Sequence, residues 1–183
     1  MSDPSRERDL AFREIQTAYQ DFYQRLKNLE QKLPYRSTKS GMWATSTAEE
    51  VYRAFCHFNL DQYSHMADLG SGDGMVVAIA SLFTRATGYE IDPWLHEQSI
   101  ELRNSLDLSK TTFIQKDFLR ANLSGHDLLY LYPDKPFHDL EERLHSTWRG
   151  RLLLNGPHFP PNQFKKVAES PASVGRFALY ESL

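Results

Sequence analysis

The run Ala67-Asp68-Leu69-Gly70-Ser71-Gly72-Asp73-Gly74 has the residue types of a backbone turn built to hold a ligand. Glycines at alternate positions allow a sharp bend and a close approach that side chains would block. An apolar stretch before the run reads as a strand. The residues from Met75 onward read as a helix, whose first N–H groups have no partner within the helix. A ligand-free strand-to-helix turn has the same look, so the octapeptide alone leaves both readings open. Glu90 adds weight to the first. It ends a second strand, Thr87-Gly88-Tyr89-Glu90-Ile91-Asp92, and stands twenty residues after Gly70. A carboxylate there can accept both hydroxyls of a ribose whose other end rests on the glycine turn, so the fitting ligand is nucleotide-like. A dinucleotide fingerprint asks for a glycine three residues after Gly72, where Met75 stands, and the turn carries no lysine for a triphosphate.

Strands and helices alternate around these residues. Thr112 to Gln115 is a third strand. Asp127 to Tyr132 is a fourth, apolar almost throughout and therefore buried on both faces. Arg151 to Asn155 is a fifth, and Gln163–Glu169 with Arg176–Glu181 suit a pair of edge strands. This alternation predicts a doubly wound α/β sheet. Ligands in such sheets lie beyond the carboxyl ends of the strands. The tip Tyr132-Pro133-Asp134-Lys135-Pro136 therefore faces the reacting group, with Tyr132 and Asp134 as the candidate catalytic side chains. Pro-Asp is also an ordinary turn dipeptide, which is the plainer reading of the same residues.

The helices follow from their caps and periods. Ser46-Thr47-Ala48-Glu49, or Thr47 with Glu50, forms a capping box. The helix after it runs to about Phe58 and buries Val51, Phe55 and Phe58, with Cys56 as a packing residue. Val76 to Phe83 is apolar on most sides, as a helix covering a parallel sheet is. Pro93-Trp94 opens another helix, where Trp94 either flanks a base or packs in the core. Phe137 to Trp148 is the last, with Leu140 and Leu144 inward. Before all of these, Phe12, Ile15, Tyr19, Phe22, Leu26, Leu29 and Leu33 form a heptad seam along a helix from about Asp9 to Leu33, which Pro34 ends. The seam packs on its own domain or mediates a homodimer or a partner contact. Residues 1–34 are thus an added amphipathic helix, and 35–183 the main domain. Tyr35 to Thr45 is too polar for a core strand and too aromatic for an idle linker, and suits a loop closing over the ligand.

Asp68-Leu69-Gly70-Ser71-Gly72-Asp73-Gly74, Gly88-Tyr89-Glu90-Ile91-Asp92, Lys116-Asp117-Phe118 and Asp127 to Pro133 together resemble the class I S-adenosylmethionine-dependent methyltransferases. Gly88 to Leu95 narrows the likeness to the small archaeal and mitochondrial protein-lysine methyltransferases. The resemblance covers roughly residues 35–183. It implies a Rossmann-like sheet of seven strands, the last antiparallel, and S-adenosylmethionine as cofactor. It implies a cofactor site of Thr45, Asp68, Gly70, Ser71, Gly72, Glu90, Ile91, Asp117 and Phe118, with Asp117 on the adenine amino group and Phe118 against the ring. The implied reaction is N-methylation of a protein lysine. The tip is also partly similar to the Phe-Pro-Asp-Pro-Trp of the transfer-RNA guanine-N7 methyltransferases, which keeps RNA as the runner-up substrate. A small-molecule substrate, or a non-catalytic cofactor-binding subunit, are the remaining alternatives.

Composition sets bounds on these readings. A net charge of −3 over 183 residues supplies no broad basic field for nucleic acid. The single cysteine excludes a disulfide scaffold and a cysteine zinc site, and the histidines show no metal-ligand spacing. No apolar run reaches a membrane span of about 20 residues, and the N-terminus is unlike a signal peptide, so a cytoplasmic protein is expected.

Overall fold

The computed structural model describes residues 4–30, 35–38, 41–44 and 46–182, with side chains at 29 and 30 and at 35–44 left aside. The chain forms α1 (Pro4–Glu30), β1 (Tyr35–Thr38), β2 (Gly41–Ala44), α2 (Ala48–His57), β3 (His65–Leu69), α3 (Met75–Ala80) and β4 (Arg85–Glu90). It continues through α4 (Pro93–Ser105), β5 (Thr111–Gln115), β6 (Leu128–Leu131), α5 (His138–Thr147), β7 (Arg151–Asn155), β8 (Phe164–Glu169) and β9 (Phe177–Ser182). The central sheet has seven strands in the order β5-β4-β3-β6-β7-β9-β8. β9 alone runs against both of its neighbours. The strand order reverses between β4 and β6, on either side of β3.

Alternation along the strands divides the core between the two faces. Leu128 and Tyr130 join the cluster under α1, α2 and α3, while Leu129 and Leu131 join the cluster with Leu140 and Leu144 of α5. Every residue of β6 is buried, as its apolar sequence requires. α3 is buried at all six positions for the same reason.

Several expectations need correction. β9 is interior, not an edge: Phe177, Leu179 and Tyr180 are buried and leave β8, with its exposed Lys165 and Lys166, as the outer strand. Residues 35–38 and 41–44 are paired antiparallel strands and not a loop. The capping box of α2 is not made. Thr47 is the N-cap and its side chain makes no capping bond. The nearby Ser46 hydroxyl lies 3.4 Å from Asn155 Nδ2. Cys56 is exposed, because α2 turns Val51, Ala54 and Phe55 inward and Cys56 outward. Trp94 packs on the α1–α3 side of the core.

α1 begins earlier than its periodicity suggested, at Pro4, a residue suited to a first helical turn. Phe12, Ile15, Tyr19 and Phe22 are buried against the protein's own core. The seam is thus covered within the chain over these positions. Arg8 adds an ion pair to Asp61 at 3.4 Å and a cation–π contact with Phe83 at 4.4 Å.

Candidate functional site

The glycines of the turn have separate reasons. Gly70 has φ +88°, and a Cβ built there would meet nothing within 4 Å, so the backbone borders open space. Gly74 also has positive φ, and its absent Cβ makes room for Phe113 of β5. Gly88 in β4 is covered by the Ser71 side chain, whose Oγ would lie 2.6 Å from an added Cβ. The Ser71 hydroxyl is buried and has no hydrogen-bond partner among the described residues.

Glu90 holds the turn in shape. Its Oε2 accepts the Gly72 amide at 2.8 Å, and its Oε1 accepts the amides of Ile91 and Asp92, both at 2.8 Å. An ionised carboxylate has about four acceptor sites, so roughly one is left for a ligand hydroxyl. Two more buried carboxyl groups stand in the same segment. Burial, then the charges of Glu90 and Asp73, pushes the Asp68 carboxyl well above its ordinary range. Burial also pushes Asp73 up to about 6, against the opposing hydrogen bond from Tyr23.

A cleft of about 790 Å³ opens beyond the carboxyl ends of β3, β4, β5 and β6, next to the reversal of strand order. Gly70, Glu90, Ile91, Asp117 and Phe118 line one part of it, and Tyr132 and Asp134 another. Seven of the expected site residues therefore share one cavity. Asp68, Ser71 and Gly72 do not line it: Asp68 and Ser71 are buried behind the turn, and Gly72 gives its amide to Glu90. Thr45 lies outside the described residues.

The walls are apolar where a flat ring would need them. Ile91, Leu119 and Tyr132 are among the few large hydrophobic residues left exposed, at 44%, 39% and 51%, and all three line the cleft. Phe118 and Leu119 sit on a single 3-10 turn, residues Phe118–Arg120, capped by Asp117 Oδ1 on the Leu119 amide at 2.9 Å. Asp117 thus does the work of a turn aspartate as well as facing the cleft. Tyr132 lies over Gly156, whose added Cβ would stand 3.5 Å from its ring.

Two supports of the site were not read from the sequence. Arg143 of α5 donates to the carbonyls of Phe118, Leu119 and Ala121, and so fixes the wall bearing Phe118 and Leu119. An arginine on a solvated helix face gives no sign of this until the helix is docked. Asn155, at the end of β7, donates to the buried Tyr130 hydroxyl at 3.0 Å and ties the tips of β6 and β7 together.

Comparison with solved structures gives this fold a precedent. The protein is similar to an RNA methyltransferase from Salinibacter ruber in complex with S-adenosyl-L-homocysteine, with a TM-score of 0.63 and 21% identity over 75% of this chain and 91% of that one. It is similar to a putative methyltransferase from Escherichia coli, with a TM-score of 0.58 and 16% identity over 76% and 87% of the two chains. It is also similar to a putative methylase from Haemophilus influenzae, with a TM-score of 0.55 and 20% identity over 72% and 96%. The chain has the class I methyltransferase fold. No family model matches the sequence, and no curated protein matches it. At these identities the likeness is one of architecture, and the site rests on the chain's own residues. Among the described residues no helix is long and apolar enough to cross a membrane.

Proposed function

We propose that this protein is an S-adenosylmethionine-dependent methyltransferase acting on the side-chain amine of a protein lysine. One observation carries the reading. A glycine turn with open space at Gly70, the Glu90 acceptor, the apolar Ile91–Phe118–Leu119 wall and the Tyr132–Pro136 tip all meet in one cleft. S-adenosylmethionine, when bound, supplies an electrophilic methyl group on a sulfonium. Glu90 takes the ribose, Asp117 the adenine amino group, and Ile91 with Phe118 the faces of the ring. The turn takes the amino-acid end at Gly70, with Asp68, Ser71 and Gly72 supporting it from behind. Thr45 belongs to the same set by resemblance.

The substrate amine must lose a proton before it attacks, because it arrives as an ammonium at neutral pH. The half-exposed Tyr132 ring offers an apolar surface that disfavours the charged form. Asp134 orients the amine and takes the proton. Holding the amine in line, about 3 Å from the methyl carbon, supplies much of the rate. The net charge of −3 and the acidic Asp139 at the start of α5 favour a basic peptide over a polyanion.

RNA is the second reading, favoured by the fold shared with the Salinibacter RNA methyltransferase and by the Tyr132–Pro136 tip. The test is incubation with methyl-labelled S-adenosylmethionine and an extract from cells lacking the gene. Label lost only to protease and recovered as methyl-lysine is the expected result. Label lost only to ribonuclease would replace lysine with RNA. Label in neither, with S-adenosylhomocysteine still formed, would point to a small molecule. Cofactor binding without turnover would make the protein a non-catalytic subunit.

A further inference from the structure

We propose that α1 is a positioning element of the site, holding the glycine turn in shape through Tyr23 and Asp73; as a statement about ligand binding this rests on the cofactor reading above. Asp73 is the last residue of the turn before Gly74, and only 4% of its surface is exposed. It does not line the cleft, and its acceptors point toward the protein. Oδ2 accepts the Tyr23 hydroxyl at 2.7 Å, Oδ1 the Met75 amide at 3.2 Å, and the backbone carbonyl the Tyr19 hydroxyl at 3.2 Å. Two phenols one helical turn apart therefore grip one residue of the turn, from a helix fifty positions away in sequence.

Docking α1 does not need these hydroxyls. Phe12, Ile15 and Phe22 already bury its seam. Burying phenol groups is costly unless they are hydrogen-bonded, and here both bonds end on the turn. Gly70, three residues before Asp73, is the part of the turn that borders the cleft. Movement of Asp73 toward water would drag the Gly70–Gly72 backbone and break the match between the Gly72 amide and Glu90. The titratable groups facing Asp73 are Tyr19 and Tyr23 from α1, Asp68 from β3 and Glu90 from β4.

The test compares the full-length protein with Tyr23→Phe, Asp73→Ala and the double variant. Two measurements are made on each: S-adenosylhomocysteine affinity by calorimetry, and amide hydrogen exchange across residues 70–75 without ligand. Tyr23→Phe keeps the ring and removes only the hydroxyl. It is expected to weaken binding about tenfold, the size of one hydrogen bond to a charged group in part transmitted to the ligand. Exchange should quicken at residues 70–75 while the central strands stay protected. In the Asp73→Ala background the same change should have no further effect. A second variant, Tyr19→Phe, removes the bond to the backbone carbonyl and stands in if Tyr23→Phe does not fold. Unchanged exchange at residues 70–75, or an equal loss of affinity in both backgrounds, would overturn the proposal. Absence of S-adenosylhomocysteine binding by the unmodified protein would overturn the cofactor reading instead, and the exchange comparison would still decide the clasp.

Discussion

Glu90→Gln separates the architecture of the site from its chemistry better than any deletion. The substitution is isosteric, yet both oxygens of Glu90 are acceptors from backbone N–H groups. A glutamine keeps one acceptor oxygen and turns an NH2 donor toward the other side. If the oxygen stays with Ile91 and Asp92, the Gly72 amide loses its partner and faces another donor. The change costs one buried hydrogen bond to a charged acceptor, about 2 kcal/mol. For a chain of this size each kcal/mol corresponds to about 2–4 °C, so the melting temperature should fall by about 4–8 °C. Scanning calorimetry of the ligand-free protein measures this without any assumption about substrate. A parallel titration with S-adenosylhomocysteine should show a loss of more than about tenfold, because the remaining acceptor site and the charge go together. A melting temperature within about 1 °C of the unmodified protein would refute the role given to Glu90 in holding the turn.

Other outcomes follow from the same geometry. Gly88→Ala puts a Cβ 2.6 Å from Ser71 Oγ and 2.9 Å from Phe113 Cδ1. Overpacking of this kind should cost about 1–3 kcal/mol by denaturant unfolding, with part recovered by adding Ser71→Gly. Asp73 gives a pH effect of defined sign. Its carboxyl moves from an ordinary 3.8 to about 6 in the folded protein, so its contribution to stability is complete below 3.8 and is lost as pH rises through 6. The span is about 3 kcal/mol at most, and Asp73→Asn should remove that slope from unfolding curves taken across pH 4–7. His126 acts in the opposite direction. Burial, then the charge of His65 when protonated, lowers its pKa from 6.5, so stability should fall as pH drops below 6.5. His126→Phe should flatten the acid limb, measured by the same unfolding curves.

Much of the site was legible because its chemistry is local. The turn from Asp68 to Gly74 needs residues that tolerate positive φ and close packing, and only glycine does both without strain. Glu90 was placed by its position at a strand end, and the strand end by the alternation of apolar runs with helices. The number of strands and the antiparallel last strand came with the resemblance, and the order of the strands came from the structure. The errors share one cause. β9 was read as an edge because its pattern is partly polar, but β8 pairs outside it and the core cluster covers Phe177 and Leu179. Cys56 was assigned to packing because the chain has no second cysteine to partner it, while the face it occupies was set by how α2 docks. The Ser46 cap is not made because α2 starts at Ala48, which puts Thr47 at the N-cap and leaves the Ser46 hydroxyl to accept from Asn155.

The sequence by itself determined a doubly wound sheet, a glycine turn with a ribose-type acceptor, and a helix with one apolar seam. These depend on periods and spacings within a few residues, where backbone conformation and side-chain type suffice. Tertiary structure decided which surfaces those pieces use. It set the α1 seam against the core, and it aimed Tyr19 and Tyr23 at Asp73. It also brought Arg143 under the Phe118 turn, and left Asp68 and Ser71 behind the turn while Gly70 borders the cleft. Contacts between residues far apart in the chain depend on how whole elements dock, and that is settled by packing of the completed core.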